Sequence, residues 1–357
     1  MRVLVDARID ARDYFTRESR DRVMHIPDDL VARILNASDQ TARTSALLAS
    51  KSLSRVASTY DDVWTEVTFR KLGAPEREFF ARRRVHKLVL DGVTPEDVQH
   101  LFRSATNDFR RLFSNDAPFD RLKTLSIRFS DIVRLPADLH FDFPELRHLK
   151  IRTGQIERES TFVVRGLNGL ETFEFHEDGD SPMVNVVFEH WNFPRLWDVQ
   201  ITCDQTNFAD CPTRLPDLKR VSLRPYYASF QTSRWAWGVP LDFLELNVAE
   251  NANDDALSWI RDVKHLVLRI TESAYLYFRP PPTVERITFS LAASDCMLEF
   301  TRDVVSNARS VKIAGEHVPM IPWNVLIHGM DIGDLKQFCE KTDVGDDVLL
   351  NFVNVTA

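Results

Sequence analysis

A short phrase, apolar-x-x-apolar-x-apolar, recurs along most of the chain. Its clearest copy is Leu146-Arg147-His148-Leu149-Lys150-Ile151, led in by Phe143-Pro144-Glu145. Other copies begin at Val85, Leu122, Leu170, Leu196, Leu218, Leu241, Val263, Val284 and Ala308. From Leu122 onward the copies are separated by 24, 24, 26, 22, 23, 22, 21 and 24 residues. A fixed period of this size marks a solenoid, in which each repeat is one supersecondary unit. Side chains alternate faces along a strand, so the fourth and sixth residues of each phrase point to a core and the third and fifth point away. One repeat cannot stand alone. Three buried apolar side chains at about 1.5–3 kcal/mol each fall short of roughly 1–2 kcal/mol of backbone entropy for every residue fixed. Stacking closes that gap, because each repeat buries its core against two neighbours.

Between about Val85 and Gly315 the pattern resembles irregular, intracellular leucine-rich repeats. The resemblance implies an α/β solenoid with a curved parallel sheet and an irregular or helical convex side. One departure stands out: the Asn or Cys expected three positions after each phrase is replaced by Ser130, Gly154, Asp178, Asp204, Tyr226, Ala249, Thr271 and Ala292. Lacking that side-chain ladder, the descending segments are expected to satisfy their backbone groups individually, in uneven loops.

Ahead of the repeats, His25 to Gly73 has a helical pattern. Pro27 followed by Asp28 and Asp29 suits a helix start, and Leu30, Val31, Ile34 and Leu35 fall on one face behind it. Ser38 and Asp39 break the helix and cap a second one, whose packed side carries Ala46, Leu47, Ala49, Ser50 and Leu53. Trp64 then anchors the last helix of a small bundle. This layout resembles an F-box over about 45 residues, carried by Ile26-Pro27-Asp28-Asp29-Leu30, Ile34-Leu35, Leu48-Ala49-Ser50-Lys51, Val56-Ala57 and Trp64. Ser38 and Leu53 depart from the family's usual Leu and aromatic at those places. The resemblance implies docking on the Skp subunit of a Skp-cullin-F-box ubiquitin ligase, with Ile26, Pro27, Leu30, Ile34, Leu35, Leu48 and Lys51 at or just behind the contact.

The expected organisation is a leader over residues 1–22, an F-box-like helical domain over 23–72, leucine-rich repeats over 73–315 and a C-terminal cap over 316–357. The leader alternates Arg and Asp with few large apolar groups and is expected to be poorly ordered. A charged connector over residues 74–84 carries Phe79 and Phe80, and its Arg82-Arg83-Arg84 run reads as a solvated face. Thr94-Pro95-Glu96-Asp97, with Val98, Leu101 and Phe102 behind it, predicts a helix inside the long first repeat. In the tail, a helix near Asp334 to Lys341 and a strand from Val348 to Val355 are expected to cover the last repeat.

Composition narrows the function. The 357 residues suggest two units, and a formal net charge of -8 argues against a general nucleic-acid binder. Cys203, Cys211, Cys296 and Cys339 lack paired spacing and read as reduced thiols. The opening apolar run is too short for a signal peptide and no stretch approaches a membrane span, so a cytoplasmic or nuclear protein without a membrane partner is expected.

No phosphate loop, dinucleotide fingerprint, HExxH or GxSxG occurs. The cluster His176-Glu177-Asp178-Gly179-Asp180 reads as a solvated loop. The expectation is therefore a protein that is not an enzyme and needs no cofactor or metal: an adaptor that binds Skp, and through it cullin, while its repeats select a substrate protein. The alternative is a leucine-rich scaffold or ligand-sensing protein outside any ligase.

The outward strand positions supply the candidate target-binding face, chiefly Lys123, Arg147, His148, Lys150, Trp197, Lys219, Arg220, Phe243, Lys264 and His265. This face leans basic despite the acidic chain, which suits an acidic or phosphorylated partner segment. Trp197, Phe243 and the loop aromatics Tyr226, Tyr227, Trp235 and Trp237 could add apolar anchors.

Overall fold

The computed structural model describes residues 27–38, 40–49, 51–69, 85–94, 98, 121–130, 132–133, 143, 145–156, 160–164, 167–178, 184–188, 193–203, 205–207, 215–225, 239–248, 252–253, 260–292, 297–316, 323–353 and 355. The leader, Ile26, the 74–84 connector, Leu101, Phe102, Tyr226, Tyr227, Trp235 and Trp237 lie outside the described residues. The chain divides into two compact units between Thr65 and Glu66.

In the first unit, helix α1 (Asp28–Ala37), α2 (Gln40–Ala49) and α3 (Lys51–Thr59) precede a single 3-10 turn, Asp61–Trp64. The carbonyl of Pro27 accepts from Leu30 and Val31 amides at 3.0 and 3.1 Å, and Asp28 and Asp29 occupy the positive end of α1. Trp64 organises the packing. Its side chain is buried and its indole N–H donates to Ala57 O at 2.7 Å. Arg43 donates to Val63 O at 2.7 Å and holds its guanidinium 5.7 Å from the Trp64 ring centre. Val56, Ala57 and Val63 complete this small core, and Arg55 ties α3 to Asp28 at 2.6 Å.

The second unit is a parallel β-solenoid. Its main sheet has twelve strands, all parallel to their neighbours, and every copy of the repeated phrase supplies one. In order they are Glu66–Phe69, Lys87–Val93, Thr124–Phe129, His148–Thr153, Thr172–Glu177, Asp198–Cys203, Arg220–Pro225, Leu241–Val248, Val263–Ile270, Arg286–Leu291, Ser310–Gly315 and Thr342–Val344. The first and last of these carry no copy of the phrase.

Register turns the phrase into two unbroken core ladders. The fourth positions align as Leu88, Leu125, Leu149, Phe173, Val199, Val221, Leu244, Leu266, Ile287 and Val311. The sixth positions align as Leu90, Ile127, Ile151, Phe175, Ile201, Leu223, Leu246, Leu268, Phe289 and Ile313. All twenty are essentially inaccessible to solvent, so each coil gains from two neighbours what it could not gain alone.

Each phrase is entered by a tight turn. Leu146, Leu170, Leu196, Leu218 and Val284 donate their amides to the carbonyls three residues back, at 3.1–3.2 Å. Pro194, Pro216 and Pro282 sit second in their turns, where a fixed φ is already correct for the bend.

Where an irregular or helical convex face is expected, the described residues of the descending side include short strands. Short strands form three further parallel sheets: Ile132–Val133 with Gln155–Ile156; Ser160–Val164, Val184–Phe188 and Gln205–Asn207; and Ala252–Asn253, Ala274–Tyr277, Met297–Thr301, Trp323–His328 and Val348–Val353. Segments such as STFVV, VNVVF and WNVLIH are β-branched and aromatic, which favours a pleated surface over a helix. Where the Asn ladder is missing, main chain replaces it. Ser130, Asp178, Thr271 and Ala292 donate their amides to Val93, Thr153, Val248 and Ile270 carbonyls of the preceding coil, at 2.8–3.2 Å.

Among the described residues, helices α4 (Arg302–Val305) and α5 (Ile332–Lys341) join this framework. Asp331 caps α5 by accepting from the Asp334 amide at 2.8 Å, and Lys341 reaches back to donate to Val305 and Ala308 carbonyls. Phe300 stacks on Phe289 with ring centres 5.0 Å apart, linking the two main sheets through the core. Beyond residue 316, Thr342–Val344 extends the main sheet, and Trp323–His328 and Val348–Val353 extend the five-stranded sheet that begins at Ala252–Asn253. Among the described residues no helix is long and apolar enough to cross a membrane.

Candidate functional site

The outward face of the main sheet carries three columns of side chains, set by strand register. The first runs through Thr124, His148, Thr172, Asp198, Arg220, Phe243, His265 and Arg286. A second runs through Ser126, Lys150, Glu174, Gln200, Ser222, Glu245, Val267, Thr288 and Lys312. The third, one outward position further on, holds Arg128, Arg152, His176, Thr202, Arg224 and Arg269.

Most basic residues on this face already face an acid on an adjacent or nearby coil. Lys87 meets Glu66 at 2.6 Å, Arg147 meets Glu171 at 3.3 Å and Lys264 meets Asp242 at 2.7 Å. Glu174 receives Lys150 at 2.6 Å and lies 3.6 Å from Arg152. Glu245 accepts from Arg224 and, through its other oxygen, from Ser222, each at 2.7 Å. Arg269 meets Glu316 at 2.7 Å. Such cross-strand pairs, mostly half-exposed and screened by solvent, set register more than they stabilise. The basic lean read from the sequence is thus largely neutralised in place.

The remaining predicted face residues fall into three groups. His148 Nδ1 shares a hydrogen bond with Thr172 Oγ1 at 3.0 Å, and His265 Nε2 shares one with Thr288 Oγ1 at 3.0 Å. Lys123, Lys219 and Trp197 lie exposed on the second residue of their phrases, at the strand entry. Arg220 and Phe243 come together: the guanidinium carbon sits 4.8 Å from the ring centre, and the His265 ring meets the same phenyl edge-on at 5.3 Å.

Around Arg220 the face is concave. A cavity of about 370 Å³ is lined by Glu174, Asp198, Arg220, Phe243 and Glu245 from the first two columns and by Arg152, His176 and Arg224 from the third. Burial raises the Asp198 carboxyl above its ordinary value, outweighing the Gln200 hydrogen bond and the Arg220 charge that would lower it. Burial lowers His265, helped by the positive charges of Arg286 and Arg220. At Glu316 burial works upward but loses to hydrogen bonds from Arg269 and Ser290, so the carboxyl is held low.

Arg152, His176, Arg224 and Arg269 were not legible in the six-residue phrase, because they occupy its seventh position. Continuing the alternation by two residues past the fifth position finds all of them. His176 and Glu177 end strand Thr172–Glu177 instead of lying in the loop expected from the sequence: His176 pairs with Asp178 at 2.7 Å and Glu177 is buried; no cluster suited to a metal occurs among the described residues.

The helical unit holds the other set of predicted contact residues. Leu30 and Ile34, one turn apart on α1, are exposed by 47% and 53% of their surface, whereas Leu35 is buried. Pro27 and Lys51 are exposed, and Leu48 lies within α2. Neither the sequence profiles of known protein families nor the curated protein sequences match this chain. Its class is that of a parallel β-solenoid preceded by a small helical unit.

Proposed function

We propose that the chain is a binding adaptor: the N-terminal helices dock on a Skp subunit, and the outward face of the solenoid holds a substrate protein for ubiquitin transfer by other subunits. The observation that carries this reading is the pair Leu30 and Ile34. Two large aliphatic side chains on successive turns of one helix are left half in water, in a unit too small to bury them itself. A helix that keeps Ala32 and Leu35 inward while presenting Leu30 and Ile34 outward is suited to helix-in-groove recognition, with anchors at i and i+4.

The mechanism is proximity. Two binding surfaces on one chain raise the effective concentration of target and ligase without chemistry in the adaptor. In a second reading, favoured by the cavity at Arg220, the solenoid is a ligand-sensing module outside any ligase. Co-expression with Skp separates the two. Stoichiometric co-elution of the full chain with Skp is the expected result, and a folded chain that elutes alone would reject the adaptor.

A further inference from the structure

We infer that the cavity beside Arg220 is a single-carboxylate site, taking one acidic group with the Arg220 guanidinium as its clamp. This deepens the reading of the outward sheet face as the target-binding surface and rests on it, though not on the Skp contact. The argument begins with partners. Glu174 is matched by Lys150 and Arg152, and Glu245 by Arg224 and Ser222. Arg220 alone among the cavity's arginines has no carboxylate within ion-pair distance among the described residues. Its register partner Asp198 is near, but the Asp198 carboxylate accepts from Gln200 instead, at 3.2 and 3.4 Å.

Arg220 is also held ready. The Arg220 guanidinium carbon lies 4.8 Å over the Phe243 ring centre, a cation–π contact that restrains the side chain, and its N–H donors meet no acceptor among the described residues. A planar fork of donors matches the two oxygens of a carboxylate.

Charge then selects the anion. The cavity lining holds three cations, Arg152, Arg220 and Arg224, and three carboxylates, Glu174, Asp198 and Glu245. A monoanion adds one negative charge, opposite the one guanidinium that has no carboxylate partner among the described residues. A phosphoryl dianion would leave excess negative charge within a few ångströms of three carboxylates, where like charges repel strongly. The expectation of an acidic or phosphorylated partner therefore narrows to an acidic one. The volume of about 370 Å³ lies at the small end of ligand sites, roughly 300–1,000 Å³, and holds one side chain or one small aromatic acid.

The test uses the full chain with benzoate, benzamide and phenyl phosphate, which share one ring and differ in charge, read by saturation-transfer NMR. Benzoate is expected to bind with a dissociation constant on the order of 1 mM, at least about tenfold tighter than the other two. Arg220→Gln should abolish that binding while Lys336→Gln, at an exposed position of α5 away from the cavity, leaves it unchanged. If Arg220→Gln does not fold, Arg220→Lys serves, keeping the charge but losing the fork, and is expected to weaken benzoate about tenfold. Competition identifies the source: displacement by N-acetyl-glutamate N-methylamide points to an internal acidic side chain, and displacement only by N-acetyl-alanine points to a terminal carboxylate. Binding of benzamide equal to benzoate, tighter binding of phenyl phosphate, indifference to the Arg220 variants, or no benzoate binding would each overturn the inference.

Discussion

Asp198 and Arg220 are register partners on adjacent parallel strands, yet they do not pair with each other. Arg220 lies over Phe243 at 4.8 Å, and Asp198 accepts a hydrogen bond from Gln200. The other charged groups at the same cavity follow the opposite rule, with Lys150 on Glu174 and Arg224 on Glu245. The unmatched guanidinium lines the cavity, where a ligand would replace the missing partner.

The Arg220–Phe243 stack should be measurable as a coupling. In a double-mutant cycle with Arg220→Ala and Phe243→Ala, urea unfolding is expected to give an interaction of about 0.5–1 kcal/mol. Additive single effects would show that the two side chains merely adjoin.

Core ladders predict local damage. Phe289 is fully buried and stacks on Phe300, so Phe289→Ala should cost about 3–5 kcal/mol in its own region. Because coils contact only their neighbours, amide exchange should accelerate in strands Val263–Ile270 and Ser310–Gly315 and remain unchanged in Thr124–Phe129. Uniform acceleration would indicate one cooperative core.

The helical unit depends on one indole. Trp64→Phe removes the donor to Ala57 O in a buried site, and an unsatisfied carbonyl there should cost about 1–3 kcal/mol. The loss should appear as a lower helical melting temperature with the strand signal unaffected.

Acid should weaken the sheet face through His265. Its folded-state value is depressed below the ordinary 6.5 by burial and by Arg286 and Arg220, so the fold favours the neutral ring. That contribution is complete above 6.5 and is lost as pH falls through the depressed value. Asp198, raised by burial, works in the opposite sense at lower pH, since the fold holds its proton more tightly. Subtracting the melting profile of His265→Gln from that of the native chain isolates the histidine. The native chain should lose more stability than the variant between about pH 7.5 and 5.5.

The main sheet was legible because its signal is periodic and redundant. Leu146, Leu149 and Ile151 state the strand, the facing and the core in six residues, and the same statement recurs at a nearly constant interval. The descending strands were not legible. Gln205–Asn207 and Ala252–Asn253 are two or three residues long, too short for any alternation to show, and their pairing comes from the coil beside them. The phrase also ended one outward residue early, hiding Arg152 and Arg224, while the acids that neutralise Lys150 and Arg147 lie one repeat away, visible only once register is known.

The adaptor reading turns on the exposed pair of α1. Isothermal titration of Skp into the full native chain, the Leu30→Asp/Ile34→Asp double variant and a Lys219→Gln control measures it most directly. The account predicts binding by the native chain and the control, and at least a hundredfold weaker binding, about 2.7 kcal/mol, by a double variant whose helical signal is intact. A native chain that is folded and does not bind, or a double variant that binds as well as the native chain, would contradict it.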